Sequence, residues 1–136
     1  MNILIIDAQG GGIGKQLVTR IKKEFPECYI TAVGTNSIAT SAMIKAGADE
    51  GATGENSVVV ASRNADIIIG PIGVIIADSM IGEITPAMAK SVAQSSALRI
   101  LIPFNMCNTY ICGVGEASTS ELLNSAVERL KAAMKE

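Results

Sequence analysis

The sequence contains no histidine and no tryptophan, and aromatic residues make up only 3% of its 136 positions. Without histidine, every catalytic triad or proton relay that depends on an imidazole is excluded. With so few aromatic rings, the interior has to be built from the aliphatic side chains among the 49% of residues that are hydrophobic. Thin aliphatic layers of this kind are typical of a parallel sheet that is covered by helices on both faces.

Cysteine and clustered positive charge are also scarce. Cys28, Cys107 and Cys112 are odd in number and lie in or beside apolar segments, which argues against a disulfide framework and favours a reducing cytoplasm. Cys107 is either a packed structural residue or a reactive thiol. Eleven basic and thirteen acidic residues give a net charge of −2 without a basic cluster, so we expect no nucleic-acid partner.

Long apolar segments are absent. The longest, residues 67–77, is interrupted by two glycines and a proline and is far shorter than the roughly 20 residues needed to span a bilayer. Residues 1–6 lead directly into Asp7 and a glycine-rich loop, which is unlike a signal peptide. We therefore expect a cytoplasmic protein without a membrane segment, folded as one domain over residues 1–136.

The densest local signal is the first fifteen residues, MNILIIDAQGGGIGK, in which an aliphatic strand precedes a glycine-rich loop and the start of a helix. Such a loop binds anions, because the first helical N–H groups lack partners and the helix dipole favours negative charge. Glycine also lets a phosphate approach the backbone. We predict that a small phosphate-containing ligand binds to the following residues: Gly10, Gly11, Gly12, Ile13, Gly14 and Lys15.

The loop matches known nucleotide-binding fingerprints only in part. For the dinucleotide pattern G-x-G-x-x-G, Gly11 and Gly14 fit but Gln9 replaces the first glycine. For the ATPase phosphate loop, Gly14 and Lys15 fit, but Gln16 replaces the hydroxyl residue that binds Mg²⁺. We expect NAD(P) or an adenine nucleotide as the cofactor. The alternative is that the segment is a divergent form of the ATPase phosphate loop and binds a nucleotide in that way.

Two charged residues flank the glycines, and each has two interpretations. Asp7 either clamps the loop by accepting hydrogen bonds from its N–H groups, or holds a ribose, a cation or a substrate proton. Lys15 lies at the positive end of a helix, where a cation is disfavoured unless an anion binds nearby. It either faces a bound phosphate or is solvated.

The rest of the chain alternates between strand and helix patterns. The predicted strands cover residues 2–7, 28–33, 50–53, 66–69, 99–103 and, as a sixth, 109–114. The predicted helices cover residues 13–25, 37–46, 56–63, 86–95 and 119–134, although residues 58–60 also have the composition of a strand. This alternation indicates an α/β fold, a three-layer Rossmann-like domain with a mainly parallel sheet of five to six strands.

Ligands of parallel sheets bind beyond the carboxyl ends of the strands. Thr35 and Asn36 follow the second strand, where a dinucleotide-binding domain usually carries an acid, and Asn56 lies in a second G-x-N-S turn after the third strand. These residues either cap helices or face the ligand. Gly70 and Pro71 follow the fourth strand and form either a tight turn or a wall beside the cofactor.

Three further features are candidates for a function. Asn105 follows the fifth strand. Asp78 and Glu83 are either solvated loop acids or an acid/base pair. An aliphatic face on residues 74–81 or on the last helix could join two copies of the chain into a homodimer.

Three long segments, IDAQGGGIGK, GTNSIATSAMIKAGADEGATGENSVVV and DIIIGPIGVIIADSMIGEITPAMA, cover most of the chain. In these segments the sequence resembles a family of short bacterial proteins catalogued as a domain of unknown function. The resemblance implies the Rossmann-like fold and the nucleotide-binding loop but no reaction. Three hypotheses follow: a nucleotide-binding protein, a non-catalytic homodimeric regulatory module, and an enzyme that uses Asp7, Lys15 or Cys107.

Overall fold

The computed structural model describes residues 1–104 and 108–136, and strands alternate with helices along these residues. The strands are β1 (Asn2–Asp7), β2 (Tyr29–Gly34), β3 (Glu50–Thr53), β4 (Ile67–Pro71) and β5 (Leu98–Ile102). The helices are α1 (Gly12–Glu24), α2 (Ser37–Lys45), α3 (Glu55–Asn64), α4 (Pro86–Gln94) and α5 (Thr119–Ala133), with a 3₁₀ turn at Ile72–Ile75 before α4.

Local sequence signals set three of the helix starts. Asn36 caps α2, and Thr85 caps α4 immediately before Pro86, each by accepting a backbone N–H bond in the first turn. Ser118 and Glu121 form a reciprocal capping box at the start of α5. These caps confirm the predicted helix starts, because each side chain satisfies an N–H group that has no partner within its own helix.

The five strands form one parallel sheet in the order β3-β2-β1-β4-β5. The chain runs from β1 outward to β3, and then crosses to the other side of β1 to form β4 and β5. This order confirms the predicted Rossmann-like fold. It also places a switch point between β1 and β4, and ligands of such sheets bind beside that point at the carboxyl edge.

Two aliphatic layers hold the helices on the sheet. Ile3 and Ile5 of β1 pack with α1, α2 and α5, whereas Leu4 and Ile6 pack with α3, α4 and the 3₁₀ turn. These four side chains are at most 2% exposed. Burial of each such side chain stabilises the fold by about 1.5–3 kcal/mol, so the alternation along β1 anchors both helical layers.

The structure differs from the sequence-based expectations at several elements. No strand forms among the described residues 108–118, because Asn108, Gly113 and Gly115 adopt positive φ angles that interrupt an extended chain. Residues 58–60 belong to α3. β4 continues past residue 69 to Pro71 and pairs with β5 over its full length.

The apolar face of the last helix is part of the core. Leu123 and Leu130 have no exposed surface, and Ala126 and Val127 are at most 5% exposed. The sequence suggested this face as one of two possible homodimer interfaces. Because it is buried within the chain, it cannot join two copies. None of the helices in the described part of the chain combines the length and hydropathy that crossing a bilayer requires.

Candidate functional site

A cleft of about 520 Å³ opens at the carboxyl edge of the sheet, beside the switch point. Its lining consists of residues 7–13, Gln16, Pro71, Met80, Phe104 and Thr119. The loop between β1 and α1 contributes most of these residues. The glycine-rich segment singled out in the sequence therefore forms a wall of this cleft.

A second cavity, of about 460 Å³, lies over β2 and β3 beside α3. Asn56 is in its lining together with Tyr29 and Val60, and Asn2 marks its extension to the start of β1. This cavity follows the length of the strands rather than their carboxyl ends. We therefore assign the candidate site to the first cleft.

Gly11 and Gly14 are required by the packing of the loop. Gly11 has a φ of +75°, and an added Cβ would lie 2.8 Å from the Ala39 Cα. At Gly14 an added Cβ would lie 2.5 Å from the sulfur of Met43. Because Ala39 and Met43 belong to α2, these two glycines allow α2 to pack directly against the loop and the first turn of α1.

Gly10 and Gly12 are different, since the fold needs neither of them. An added Cβ at either position would meet no heavy atom within 4 Å, and neither residue has a positive φ. Both are exposed. In the residues that the structure describes, the N–H groups of Gly10, Gly12 and Ile13 donate no hydrogen bond. Bare backbone therefore faces open space at the N-terminus of α1, where the helix dipole favours an anion.

Asp7 is buried beneath the loop, with 4% of its surface exposed. Its carboxylate accepts hydrogen bonds from the N–H of Ala8 at 2.8 Å and of Gly14 at 2.6 Å. Burial raises the pKa of Asp7; the hydrogen bonds from Gly14 and Ala8 oppose the rise, and the charge of Glu83 adds to it. These contacts are those of a loop clamp, one of the two roles considered from the sequence.

Glu83 is not a solvated loop acid. Its Oε1 accepts three hydrogen bonds, from the Thr35 hydroxyl at 2.7 Å, the Gln9 N–H at 2.8 Å and the Asn36 Nδ2 at 2.9 Å. Burial acts to raise the pKa of Glu83, but these hydrogen bonds outweigh it and the pKa is lowered. Asp78 makes no side-chain contact with Glu83 in the described residues, so the two acids do not form an acid/base pair.

Thr35 and Asn36 therefore face Glu83 rather than the cleft. Asn36 uses Oδ1 to cap α2, while its Nδ2 donates both to Glu83 and to the Gln9 carbonyl oxygen at 2.9 Å. Neither residue lines the cleft. The capping role considered for Asn36 is confirmed, and its amide also joins the end of β2 to the glycine loop.

Glu83 belongs to residues 76–85, which we call the strap and which connect the 3₁₀ turn to α4. Ser79 and Ile84 fix the strap at both sides of its tip, because Ile84 is 1% exposed and the Ser79 hydroxyl donates to the Gly73 carbonyl oxygen at 2.6 Å. At the tip, Met80 and Ile81 have φ angles of +55° and +57°. Such angles are costly for side chains of this size, so they persist only where the surrounding structure imposes them.

The remaining predicted site residues have varied positions. Lys15 is exposed on the first turn of α1, has no side-chain partner in the described residues and does not line the cleft. Asn56 lies on α3 beside the second cavity. Gly70 is buried within β4, where an added Cβ would lie 2.5 Å from the Ile6 carbonyl oxygen. Pro71 lines the cleft, and Asn105 and Cys107 lie outside the described residues.

Several lining residues were not among those predicted to bind the ligand: Ala8, Gln9, Gln16, Met80, Phe104 and Thr119. Thr119 is the first residue of α5, so a second helix begins at the cleft. The positions of Thr119 and Glu83 could have been predicted from the topology, because every segment between a parallel strand and the next helix lies at the carboxyl edge of the sheet. Within residues 1–104 and 108–136, no three Asp, Glu or Cys side chains are grouped closely enough to hold a metal ion.

Comparison with known proteins finds similarity to a solved structure and membership of a protein family. A similar chain occurs in the crystal structure of a dodecameric FMN-dependent Ubix-like decarboxylase from Escherichia coli O157:H7. The two chains are 11% identical, with 98% of this chain and 95% of that chain covered, and the TM-score is 0.43. No curated protein sequence is significantly similar to the chain. Residues 2–135, nearly the whole chain, match the family described as Domain of unknown function (DUF3842), and the protein therefore belongs to that family.

Proposed function

We propose that the protein binds a nucleotide, such as NAD(P) or an adenine nucleotide, with a phosphate on the loop of residues 10–15. The observation that carries this proposal is that glycine occupies positions 10 and 12, although neither the backbone conformation nor the packing requires glycine there. Glycine in place of alanine costs roughly 0.5–1 kcal/mol of stability where no such requirement exists. Two such glycines beside unpaired N–H groups are accounted for by a ligand that approaches the backbone closely.

The size and chemistry of the cleft support the same proposal. Its volume of about 520 Å³ lies within the range of roughly 300–1,000 Å³ that is typical of small-molecule sites. Phe104 and Met80 offer apolar surface against which a base or another planar ring can pack. Gln16 and Thr119 add an amide and a hydroxyl for hydrogen bonds to the ligand.

Lys15 is proposed as the charge that complements the phosphate. It is exposed near the unpaired N–H groups and has no other partner in the described residues, so it is available to an anion. Gln16 stands where ATP-hydrolysing loops have a hydroxyl that binds Mg²⁺, and an amide cannot replace it as the same kind of ligand. We therefore propose binding by this loop and no ATP hydrolysis.

The test is a thermal-shift panel of AMP, ATP, NAD⁺, NADP⁺, FMN and inorganic phosphate on the wild type, Gly12→Val and Ala87→Val. Ala87 is an exposed residue in the first turn of α4 and does not line the cleft, so Ala87→Val is a matched control. At least one nucleotide should raise Tm for the wild type and the control, since a ligand that binds only the folded state stabilises it. The shift should be lost in Gly12→Val. No shift in the wild type, or an equal shift in Gly12→Val, would contradict the proposal.

A second candidate function is a homodimeric regulatory or interaction module, which residues near the sheet edge support. All four residues of β3 are exposed, and β3 lies at the open edge of the sheet. Ile38 and Ile44 of the neighbouring α2 are 69% and 40% exposed. Sedimentation velocity should then show a dimer at micromolar concentration that Ile38→Lys weakens. A wild-type monomer under these conditions would remove this candidate.

We also propose a cytoplasmic location and a single functional domain over residues 1–136. Cys28 and Cys112 are free thiols, which fits a reducing compartment. Localisation of a fluorescent fusion of the full chain, together with a single cooperative unfolding transition, would test both statements.

A further inference from the structure

Glu83 closes one half of the crevice in which a Rossmann-like sheet holds a dinucleotide. Its carboxylate spans the loop after β1 and the turn after β2 through Gln9, Thr35 and Asn36. A dinucleotide extends across the switch point, with its pyrophosphate at the first helix and one ribose against the end of the second strand. Through its bonds to Thr35 and Asn36, the Glu83 carboxylate lies at the end of the second strand, where such a ribose binds in dinucleotide-binding domains.

The strap that carries Glu83 is anchored firmly in the protein. Ser79 and Ile84 are 6% and 1% exposed, so the strap is fixed in the protein on both sides of its tip. The Asp78 N–H donates to the Ile84 carbonyl oxygen at 2.7 Å, which joins the two ends of the strap directly. The backbone at Glu83 is therefore held in place. Its side chain can leave the crevice only when three hydrogen bonds break.

The cleft beside this closure stays open. Its lining includes Gly10 and Gly12 on the loop and Phe104 and Thr119 beyond β5, and it does not include Glu83. A ligand with a single nucleoside phosphate can place its phosphate on the loop and its ring in the cleft, against Met80 of the strap, without contacting Glu83. A ligand with a second nucleoside has to displace the Glu83 side chain.

We propose that Glu83 is a specificity-determining residue that restricts the site to mononucleotides and excludes dinucleotides. The inference rests on the proposed nucleotide binding and narrows the class of ligand: of the ligands proposed above, mononucleotides remain and NAD(P) is excluded. It departs from the usual arrangement, in which an acid at the end of the second strand accepts the ribose hydroxyls of a dinucleotide. Here the acid at that place comes from the strap, and its Oε1 is occupied by three donors of the protein itself.

The experiment compares AMP, nicotinamide mononucleotide and NAD⁺, which contains both, by calorimetry on the full chain. The variants are Glu83→Ala, which removes the obstacle, and Glu83→Gln, which keeps its size and its acceptor oxygen. In the wild type, at least one mononucleotide should bind about tenfold more tightly than NAD⁺. Glu83→Ala should raise the affinity for NAD⁺ about tenfold relative to the affinity for the mononucleotide, and Glu83→Gln should keep the wild-type preference.

Two outcomes would overturn the inference while leaving the proposed nucleotide binding intact. If Glu83 were a ribose acceptor, Glu83→Ala would weaken NAD⁺ binding, and this outcome would overturn the inference while leaving nucleotide binding intact. Equal affinities of NAD⁺ and the mononucleotides for the wild type would also overturn it. If none of the three ligands binds to any variant, the inference is wrong. The proposed function is then also wrong only if no ligand of the thermal-shift panel raises Tm.

Amide hydrogen exchange on the wild type gives a readout that does not depend on a variant folding. The Gln9 N–H donates to Glu83 and is therefore protected while the crevice is closed. A saturating mononucleotide should leave this protection in place, whereas NAD⁺ at a concentration that forces binding should reduce it. Loss of protection with the mononucleotide would overturn the inference.

Discussion

The Glu83 carboxylate accepts a hydrogen bond from the Thr35 hydroxyl at 2.7 Å, across 48 positions of sequence. Thr35 follows β2, and Glu83 precedes α4 on the other side of the switch point. The contact therefore joins the two halves of the sheet at the edge where ligands bind. A residue that resembles an ordinary loop acid therefore links the loops that border the candidate site.

Stability should separate the two kinds of glycine in the loop. Gly11→Ala should destabilise the protein by about 1–3 kcal/mol, because the added Cβ combines a left-handed backbone with a contact to the Ala39 backbone. Gly12→Ala should be neutral or stabilise by up to about 1 kcal/mol, because its Cβ meets open space at the start of a helix. Urea unfolding of both variants measures the difference. Equal losses would contradict the distinction between packing glycines and ligand-facing glycines.

Glu83 should make the stability of the protein depend on pH with a definite sign. Its pKa in the folded protein is lowered from the ordinary value of 4.5, so its contribution is present above that value and is lost as the pH falls through the lowered pKa. We expect the wild type to exceed Glu83→Gln by about 0.5–1 kcal/mol in the free energy of unfolding at neutral pH, since hydrogen bonds to a charged acceptor are stronger but solvent screens this partly exposed group. The difference should vanish in acid.

Urea unfolding at several pH values measures this difference. Glu128→Gln is the matched control, because Glu128 is exposed on α5 and has no side-chain partner in the described residues. A wild-type advantage over Glu83→Gln that is independent of pH would contradict the role given to the carboxylate charge.

Asp7 should respond to the loss of charge at Glu83. Burial is the main reason that the pKa of Asp7 is raised above 3.8, and the Glu83 charge adds to the rise, so Glu83→Gln should lower the pKa of Asp7. The contribution of Asp7 to stability is opposite in sign to that of Glu83: it is present below pH 3.8 and is lost as the pH rises through the raised pKa.

Carbon-detected NMR titration of the carboxyl groups would measure the shift of Asp7. Asp49 serves as the internal reference, because its pKa is lowered mainly by the hydrogen bond from Lys22 and receives no contribution from Glu83. An unchanged Asp7, or an equal shift of Asp49, would contradict the coupling between the two acids.

Lys15 should contribute to ligand affinity without contributing to stability. Lys15→Met should weaken the binding of a nucleotide found in the thermal-shift panel by about fivefold, because it removes a positive charge near the phosphate. The free energy of unfolding should stay within about 0.5 kcal/mol, since the side chain has no partner in the described residues. Lys23→Met makes the same change at the exposed far end of α1. If both variants lose the same affinity, the effect is one of net charge and Lys15 has no specific role.

Much of the architecture follows from short-range patterns. Asn36, Thr85 and Ser118 mark helix starts because a cap needs only a side chain and the backbone two or three residues ahead. The aliphatic segments that become β1 and β4 are buried on both faces and are recognisable from composition alone. The predicted sixth strand at residues 109–114 was wrong, because positive φ angles at Gly113 and nearby residues are not visible in the side-chain pattern.

Within the site, the sequence by itself determined the glycine loop and its place between β1 and α1, because both depend on consecutive residues. Only the tertiary structure decided which glycines the fold requires, since the neighbours of Gly11 and Gly14 come from α2. The same holds for Glu83, whose partners lie 47 to 74 positions away. Contacts over such distances form only when the sheet brings separate loops to one edge, and no local pattern encodes them.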